Sequence, residues 1–319
     1  MWQYLLRRVL VGIPLVLVVT MVAFGLLQLA PGSALDAYAP PSMPLPPSAR
    51  AALARELGLD QPLPVRYLDW LWQALHGNLG VRTDNFQPVS QAIATHIGPT
   101  LELMATGLLI GIVLGIVLGV VSAVMQYSVL DFILTVLAFL GLSLPAFLAG
   151  LLGLYLFSLR LNWFPIGGTS TAGQPASLGD SLVHLILPAC LLSITHIAQV
   201  QRYTRSAMLE VIGQDYVRTA RAKGAGPVRV LFRHALRNAL LPIVTIIGAS
   251  IPNLISGAVF LETIFTWPGM GSLLVQAVTA RDFSLLTGLL LVIAIVVVLA
   301  NLATDLTYAA IDPRIGFDS

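Results

Sequence analysis

Apolar residues dominate long stretches of the chain, and short polar segments separate these stretches. A bilayer core takes about 20 mostly apolar residues per helix, and six runs are close to that length. They are residues 9–29, 101–124, 132–156, 182–200, 239–261 and 285–309. The pattern therefore predicts an all-α integral membrane protein with six transmembrane helices.

The basic residues are divided unevenly between the two sides of these predicted spans. One side carries eleven: Arg7, Arg8, Arg202, Arg205, Arg218, Arg221, Lys223, Arg229, Arg233, Arg237 and Arg314. The other carries six: Arg50, Arg55, Arg66, Arg82, Arg160 and Arg281. Because cytoplasmic loops of membrane proteins carry the excess of Lys and Arg, we expect both termini and the loop 202–238 in the cytoplasm.

The regions between the runs suggest a division of the chain. The first run is long for the apolar part of a cleaved signal peptide, so we expect residues 1–30 to form a retained transmembrane helix. Residues 31–98 form an extracytoplasmic segment with short helices, and residues 99–319 form a five-helix core that includes the loop 202–238. The extracytoplasmic segment either covers the helix ends or docks a partner, and the pattern leaves both open.

Glycines recur every four residues along the second predicted span. They are Gly107, Gly111, Gly115 and Gly119. At 3.6 residues per turn this spacing keeps them on one side of the helix, where another backbone can approach closely. We favour tight packing within the chain over a moving gate. Prolines inside other spans are expected to kink their helices: Pro145, Pro188, Pro242 and Pro252.

Polar side chains also occur inside the fifth and sixth predicted spans. They are Asn253, Ser256, Asn301 and Asp305. A carboxylate at membrane depth is costly and marks function by default. Asp305, however, lies two turns from Asp312, near the cytoplasmic end, where water can reach it. These four residues are the candidates for a substrate pathway.

The loop 202–238 contains a charged stretch that ends at a glycine break. Its pattern predicts a short helix that begins at Asp215 and stops at Gly224, with basic residues near its C-terminal end as the helix dipole favours. Arginines then recur every four residues at Arg229, Arg233 and Arg237. Composition alone favours an anchor for lipid headgroups. A helix of small residues closed by glycine favours insertion into a groove of another protein, so both interpretations stay open here.

Composition narrows the function classes. Hydrophobic residues make up 57% of the chain and charged residues 10%, with a mean hydropathy of +0.86, which is typical of a membrane protein and gives no support to nucleic-acid binding. Cys190 is the single cysteine, so an intrachain disulfide is excluded. Lys223, the only lysine, is followed by Gly224, which excludes a Walker A nucleotide site. We expect no catalytic residue and no metal site in this chain.

Motifs along nearly the whole chain carry a resemblance to a known family. They are Arg7-Arg8, APG at 30–32, ELGLDQP at 56–62, GNLG at 77–80, NWFP at 162–165, DYVRTARAKG at 215–224, HALRNA at 234–239, ETIFTWPGMG at 262–271, RDF at 281–283 and DPR at 312–314. The chain resembles the B-type permease subunit of the dipeptide/oligopeptide/nickel family of ABC importers. Its loop resembles the EAA loop of such permeases, although Arg218 stands where the general pattern has Glu.

The resemblance implies a transmembrane permease subunit of an ATP-driven importer, with the type I ABC importer permease fold, in the bacterial cytoplasmic (inner) membrane. Its implied partners are a second homologous permease subunit, two cytoplasmic ATPase subunits, an extracytoplasmic substrate-binding protein and membrane lipid. No cofactor is expected in this chain, because ATP and Mg would be bound by the ATPase subunits. The implied ATPase-coupling residues are Asp215, Tyr216, Arg218, Thr219, Ala220, Ala222, Lys223 and Gly224. Dipeptides or oligopeptides are the implied substrates.

Two other classes of protein are alternatives to this one. An autonomous secondary transporter or channel could use Asn301 and Asp305 as an ion site, but such proteins often show internal repeats, and the sequence has no convincing one. A membrane enzyme would need an acid, a base and a nucleophile brought together, and these spans supply no such set.

Overall fold

The structure is a computed structural model that describes residues 2–29, 46–56, 58–175 and 177–311. Within these ranges, side chains are described except those of residues 2–9, 28–29, 50, 56, 241–242, 244–253, 256 and 305–311. The helices are α1 (Trp2–Leu29), α2 (Pro47–Glu56), α3 (Leu63–Leu75), α4 (Val89–Val124), α5 (Val129–Ser143), α6 (Ala146–Gly153), α7 (Leu178–Ile212), α8 (Asp215–Ala222), α9 (Pro227–Arg229), α10 (Arg237–Ile264), α11 (Met270–Ala280) and α12 (Phe283–Ile311). Two π-helical segments, Leu154–Arg160 and Val230–Leu236, follow α6 and α9 directly.

Among the described residues, four helices are long and apolar enough to cross a membrane. The qualifying segments are Leu10–Leu27, Val89–Val124, Leu178–Ile212 and Phe283–Thr304. A fifth span results if Val129–Ser143 and Ala146–Arg160 are counted together. The predicted span 239–261 lies within α10, and most side chains of that span fall outside the described residues. The prediction of an all-α membrane protein is confirmed, and the number six stays a prediction.

The third predicted span, 132–156, is not one straight helix. Its two halves, α5 and the continuous helical stretch Ala146–Arg160, are bent by 106° relative to each other. The break falls at Pro145, which lacks a backbone N–H and disfavours helical geometry in the residue before it. Leu144 is accordingly extended, at φ −83° and ψ 117°. The sequence predicted a kink at Pro145 but treated the run as a single span, and the structure corrects this to a sharply bent pair.

The chain divides into two compact units, one of Met1–Gly98 with Gly269–Leu299 and one of Pro99–Pro268 with Ala300–Ser319. In the first unit, the start of α4 packs with α11 and the start of α12. The buried residues of this cluster are Val89, Ala92, Ile93, Met270, Leu273, Ala277, Leu285, Leu286 and Leu289. Helix α3 lies against α1, where the Tyr67 hydroxyl donates to the Leu17 carbonyl at 3.1 Å.

A buried carboxylate organises the loop before α4 in the same unit. Asp282 accepts the N–H of Thr83 at 2.8 Å and the N–H of Leu285 at 3.0 Å, so it ties the loop to α12 and caps that helix. In the loop itself, Arg82 donates two hydrogen bonds to Asp84, at 2.9 and 2.6 Å. These bonds keep the pKa of Asp84 below its ordinary value.

The second unit is built around α7, which contacts α5, α6 and α10. Its largest apolar cluster joins α4, α7 and the end of α10. The buried members are Leu103, Met104, Leu185, Leu187, Ala189, Leu192, Leu254, Ala258, Leu261, Phe265 and Trp267. The indole N–H of Trp267 donates to the Pro99 carbonyl at 2.9 Å, and the buried Glu262 accepts a 2.6 Å hydrogen bond from Thr100. The end of α10 is therefore fixed to α4 at Pro99 and Thr100.

The glycine stripe of α4 faces α7 in the second unit. A methyl group added at Gly111 would lie 2.7 Å from Cβ of His196, and one added at Gly115 would lie 2.6 Å from Cβ of Val200. Real Cβ atoms essentially never approach this closely. The prediction of tight packing along the stripe is confirmed, and α7 is the helix that approaches it.

Candidate functional site

Helix α8 forms where the sequence predicted a short helix. Asp215 lies in its first turn, where a negative charge stabilises the positive end of the helix dipole. Gly224 ends the helix at φ +82°, a left-handed conformation that favours glycine. The N–H of Gly224 donates to the Arg221 carbonyl at 2.9 Å, and that of Ala225 to the Ala220 carbonyl at 3.1 Å. These two bonds form a complete Schellman motif, so the predicted stop at Gly224 is confirmed.

Most of α8 lies on the protein surface. Asp215 and Arg218 are 97% and 73% exposed, and their 3.6 Å ion pair is too exposed to contribute much stability. Val217 is the one buried residue of the helix, at 0% exposure. Seven of the eight residues expected to couple to an ATPase are exposed, Ala220 being half-buried. The helix therefore exposes nearly its whole circumference to solvent, except the side that carries Val217. The coupling role of these residues stays a prediction.

Contacts within the chain fix the orientation of α8. It follows α7 after two residues, Gly213 and Gln214, and it lies against the π-helical segment Val230–Leu236. The side-chain amide of Asn238 donates to the Tyr216 hydroxyl at 3.1 Å and to the His234 carbonyl at 2.9 Å. Helix α8 is thus connected through the chain to the end of α7 and through a hydrogen bond to the start of α10.

The end of α7 is itself held by an apolar cluster. Met208 packs there with residues of α4, the π-helical segment and the start of α10. The buried members are Val120, Ala123, Met208, Ala235 and Ala239. One packed core therefore joins α4, α7 and α10, the three helices of this cluster that enter the predicted membrane region. The cluster lies close to α8 in the sequence, since α8 follows α7 directly.

An ion pair between a buried aspartate and a partly exposed arginine lies at the same end of α7. Arg205 donates from Nε and Nη2 to the two carboxylate oxygens of Asp131, at 2.7 and 2.8 Å. The same carboxylate accepts the Ser122 hydroxyl and, at 3.0 Å, the N–H of Tyr127. Asp131 is 4% exposed, so all of its charge is balanced inside the protein. The pair fixes the turn between α4 and α5 to the helix that leads into α8.

The candidate pathway residues are not brought together in a described site. Asn301 lies on α12 with its side chain exposed. The side chains of Asn253, Ser256 and Asp305 lie outside the described residues, so their role stays a prediction. Within the described part of the chain, no group of three or more His, Cys, Asp or Glu residues could hold a metal ion.

Sequence reasoning missed two of the contacts that hold this region. One is the hydrogen bond between Tyr216 and Asn238, and the other is the Asp131–Arg205 pair. A partial signal existed for the second, because Ser128 three residues before Asp131 is a capping pattern, and the Ser128 hydroxyl does accept the Asp131 N–H at 3.2 Å. That pattern predicts the start of α5 but not the arginine on α7.

Comparison with known proteins identifies the family. Residues 111–317 match the model of the binding-protein-dependent transport system inner membrane component, and residues 1–92 match its N-terminal counterpart. A candidate peptide permease protein of Brucella suis is 52% identical over 99% of both chains. The oligopeptide transport system permease protein AppB of Bacillus subtilis is 40% identical over 99% of this chain and 100% of its own.

A third relative and one solved structure agree with this result. The dipeptide transport system permease protein DppB of Escherichia coli is 37% identical over 99% of both chains. A chain from a structure of the MetNI methionine ABC transporter superposes with a TM-score of 0.58 over 70% of this chain and 97% of its own, at 16% identity. That likeness supports the type I ABC importer permease fold. The chain belongs to the family of binding-protein-dependent transport system inner membrane components, and it is a multi-pass membrane subunit of an ABC importer rather than an enzyme.

Proposed function

We propose that this chain forms half of the translocation pathway of an ATP-driven importer of dipeptides or oligopeptides, and that α8 receives the movement of a separate ATPase subunit. The observation that carries the proposal is an exposed helix, α8, that ends in a complete Schellman motif and is connected to α7 and α10, in a chain whose relatives are named as permeases of dipeptide and oligopeptide systems. Peptides as substrate come from those names, and the coupling role comes from the geometry of α8.

The proposed partners follow from the family to which the chain belongs. Its sequence has no Walker A motif, so ATP and Mg are assigned to two cytoplasmic ATPase subunits, and this chain needs no cofactor. A second homologous permease subunit completes the pathway, and an extracytoplasmic substrate-binding protein delivers the substrate. The distribution of basic residues supports an orientation with both termini and α8 in the cytoplasm.

The proposed mechanism uses the connections of α8. A short helix that is capped at its C-terminal end and packed through Val217 is expected to move as a rigid body when an ATPase surface displaces it. Only two residues, Gly213 and Gln214, join α7 to α8. Because two residues span little distance, we expect the end of α7 to follow a displacement of α8. Tyr216 transmits the same displacement to the start of α10 through Asn238. In this way α7 and α10 would switch the pathway between an inward and an outward opening. The candidate residues for that pathway are Asn253, Ser256, Asn301 and Asp305.

Reconstitution in liposomes tests the proposed function. The chain is reconstituted with its second permease subunit, with and without the two ATPase subunits, and uptake of a radiolabelled dipeptide is measured with the binding protein present. We expect uptake only when the ATPase subunits and ATP are both supplied. Uptake by the permease chains alone under an ion gradient would contradict the proposal and would favour a secondary transporter.

A further inference from the structure

Three arginines form a row after α8, on the segment that leads back to α10. Arg229, Arg233 and Arg237 are spaced by four residues, and each of them is exposed. The backbone is helical throughout, since Val230 and Arg237 at the two junctions have φ −60° and −53° with ψ −47° and −40°. Continuous helical geometry with this spacing keeps the three guanidinium groups on one side of the segment.

An exposed apolar pair lies beside this row. Val228 and Phe232 are 68% and 57% exposed. The opposite side of the segment is buried through Val230 and Ala235, the latter within the cluster that holds the end of α7. The surface therefore combines three cations with two apolar side chains that nothing in the described chain covers. A basic amphipathic surface of this kind is typical of helices that bind at a membrane surface.

The three guanidinium groups are free to bind an external anion. In the part of the chain that the structure describes, none of them makes an ion pair or a side-chain hydrogen bond. Arg205, by contrast, donates two hydrogen bonds to the carboxylate of Asp131. A guanidinium presents a planar set of N–H donors that matches the oxygens of a phosphate. The row thus has both the charge and the donor geometry for phosphate groups.

The position of the row along the chain matches the lipid headgroup layer. The predicted span begins at residue 239, and at about 1.5 Å per residue Arg237 lies about 3 Å and Arg233 about 9 Å from that start. The headgroup layer is about 5 to 8 Å thick on each side of the hydrocarbon core. Because an arginine side chain adds further reach, Arg233 and Arg237 can both contact headgroups. Arg229, about 15 Å from that start, reaches the same layer if the segment lies along the membrane surface.

We propose that Arg229, Arg233 and Arg237, with Val228 and Phe232, bind acidic phospholipids of the cytoplasmic leaflet. The proposal rests on the orientation given under the proposed function. The bound headgroups hold the returning segment at the membrane surface, and through Asn238 and Tyr216 they fix the level at which α8 meets its partner. The two interpretations of the loop are then both satisfied, with α8 facing protein and the arginine row facing lipid.

Lipid binding by the detergent-solubilised importer complex tests this assignment. Native mass spectrometry counts phosphatidylglycerol and phosphatidylcholine bound to the wild-type complex and to the R229Q/R233Q/R237Q variant. We expect the wild type to prefer phosphatidylglycerol and the variant to lose affinity for it by about fivefold for each arginine removed. The matched control is R221Q, which removes an exposed arginine from α8 in the same loop and is expected to keep the preference.

A lysine variant and a phosphate competitor separate the effect of charge from misfolding and from binding of free phosphate. The R229K/R233K/R237K variant keeps the charges and is expected to show an intermediate preference for phosphatidylglycerol. This variant also tests the assignment if the glutamine variant folds poorly. Millimolar inorganic phosphate is expected not to displace the lipid.

Unchanged phosphatidylglycerol binding in the glutamine variant would overturn the assignment, and so would an equal loss in R221Q. Loss of the ATPase subunits with lipid binding intact would assign the row to the ATPase. Since detergent has no sidedness and uptake is not measured, failure here is distinct from failure of the proposed transport function.

Discussion

Arg205 binds both carboxylate oxygens of Asp131 in parallel, with Nε and Nη2 at 2.7 and 2.8 Å, although 74 residues separate the two along the chain. This two-bond geometry fixes direction as well as distance. It joins the turn after α4 to α7 a short distance before α7 leads into α8. The pair therefore sets the position of the helix that we propose receives the movement of the ATPase.

Replacing Asp131 is expected to destabilise the protein strongly. The Asp131→Ala variant leaves Arg205 without its partner and removes the acceptor for Ser122 and the Tyr127 N–H. Because Arg205 is partly exposed, water can hydrate it in part, and we expect the loss of its partner to cost about 1–3 kcal/mol. We expect a lower thermal midpoint in detergent by several degrees, and the Asp131→Ala/Arg205→Ala double variant is expected to recover part of the loss. Additive effects of the two single changes would show that the pair makes no energetic contribution.

Gly224 and Gly226 provide a matched test of the capped end of α8. No atom lies within 4 Å of a Cβ atom added at either glycine, but Gly224 has φ +82° and Gly226 has φ −64°. An L-residue in the left-handed region costs about 1–2 kcal/mol. We therefore expect Gly224→Leu to insert normally yet to reduce peptide transport and the stimulation of ATPase activity, whereas Gly226→Leu leaves the helix end intact. Normal transport and ATPase stimulation in Gly224→Leu would contradict the proposed role of α8 as a rigid connection.

The sequence predicted the end of α8 and the break at Pro145, because both depend on residues that are neighbours along the chain. Gly224 ends α8 because a left-handed residue is needed there, and Pro145 breaks its helix because the ring acts on Leu144, its direct neighbour. The size of the bend, 106°, was beyond the sequence, since it depends on the helices against which α5 and α6 pack. A slight kink and a bend of more than a right angle have the same proline signature.

Contacts between distant residues were the part that the sequence could not supply. The glycine stripe indicated that some helix approaches α4, but nothing in the spacing indicated α7 and Val200 as the partner. Arg205 was counted as one of eleven basic residues on the cytoplasmic side, and its pairing with Asp131 cannot be read from a count. The hydrogen bond from Asn238 to Tyr216 is likewise a product of how the chain returns to α10.

Two glycines of α4 are expected to respond to alanine with opposite signs. A methyl group at Gly115 would lie 2.6 Å from Cβ of Val200, whereas one at Gly98 meets no atom within 4 Å. Overpacking costs about 1–3 kcal/mol, while alanine in place of glycine within a helix gains about 0.5–1 kcal/mol where there is room. Thermal unfolding in detergent should show Gly115→Ala below and Gly98→Ala at or above the wild type. A Gly115→Ala variant as stable as the wild type would mean that α4 and α7 separate easily.

Single-cysteine labelling tests the proposed orientation. Cys190 is the only cysteine, so a Cys190→Ser background leaves one reactive site in each of two variants, Gln174→Cys and Gln214→Cys. Both glutamines are exposed, and the Gln214 side chain makes no capping hydrogen bond. With the loop 202–238 in the cytoplasm, a membrane-impermeant maleimide is expected to label Gln174→Cys in intact spheroplasts and Gln214→Cys only after permeabilisation. The reverse pattern would place α8 and the arginine row on the outer side, where neither a cytoplasmic ATPase nor the inner leaflet could reach them.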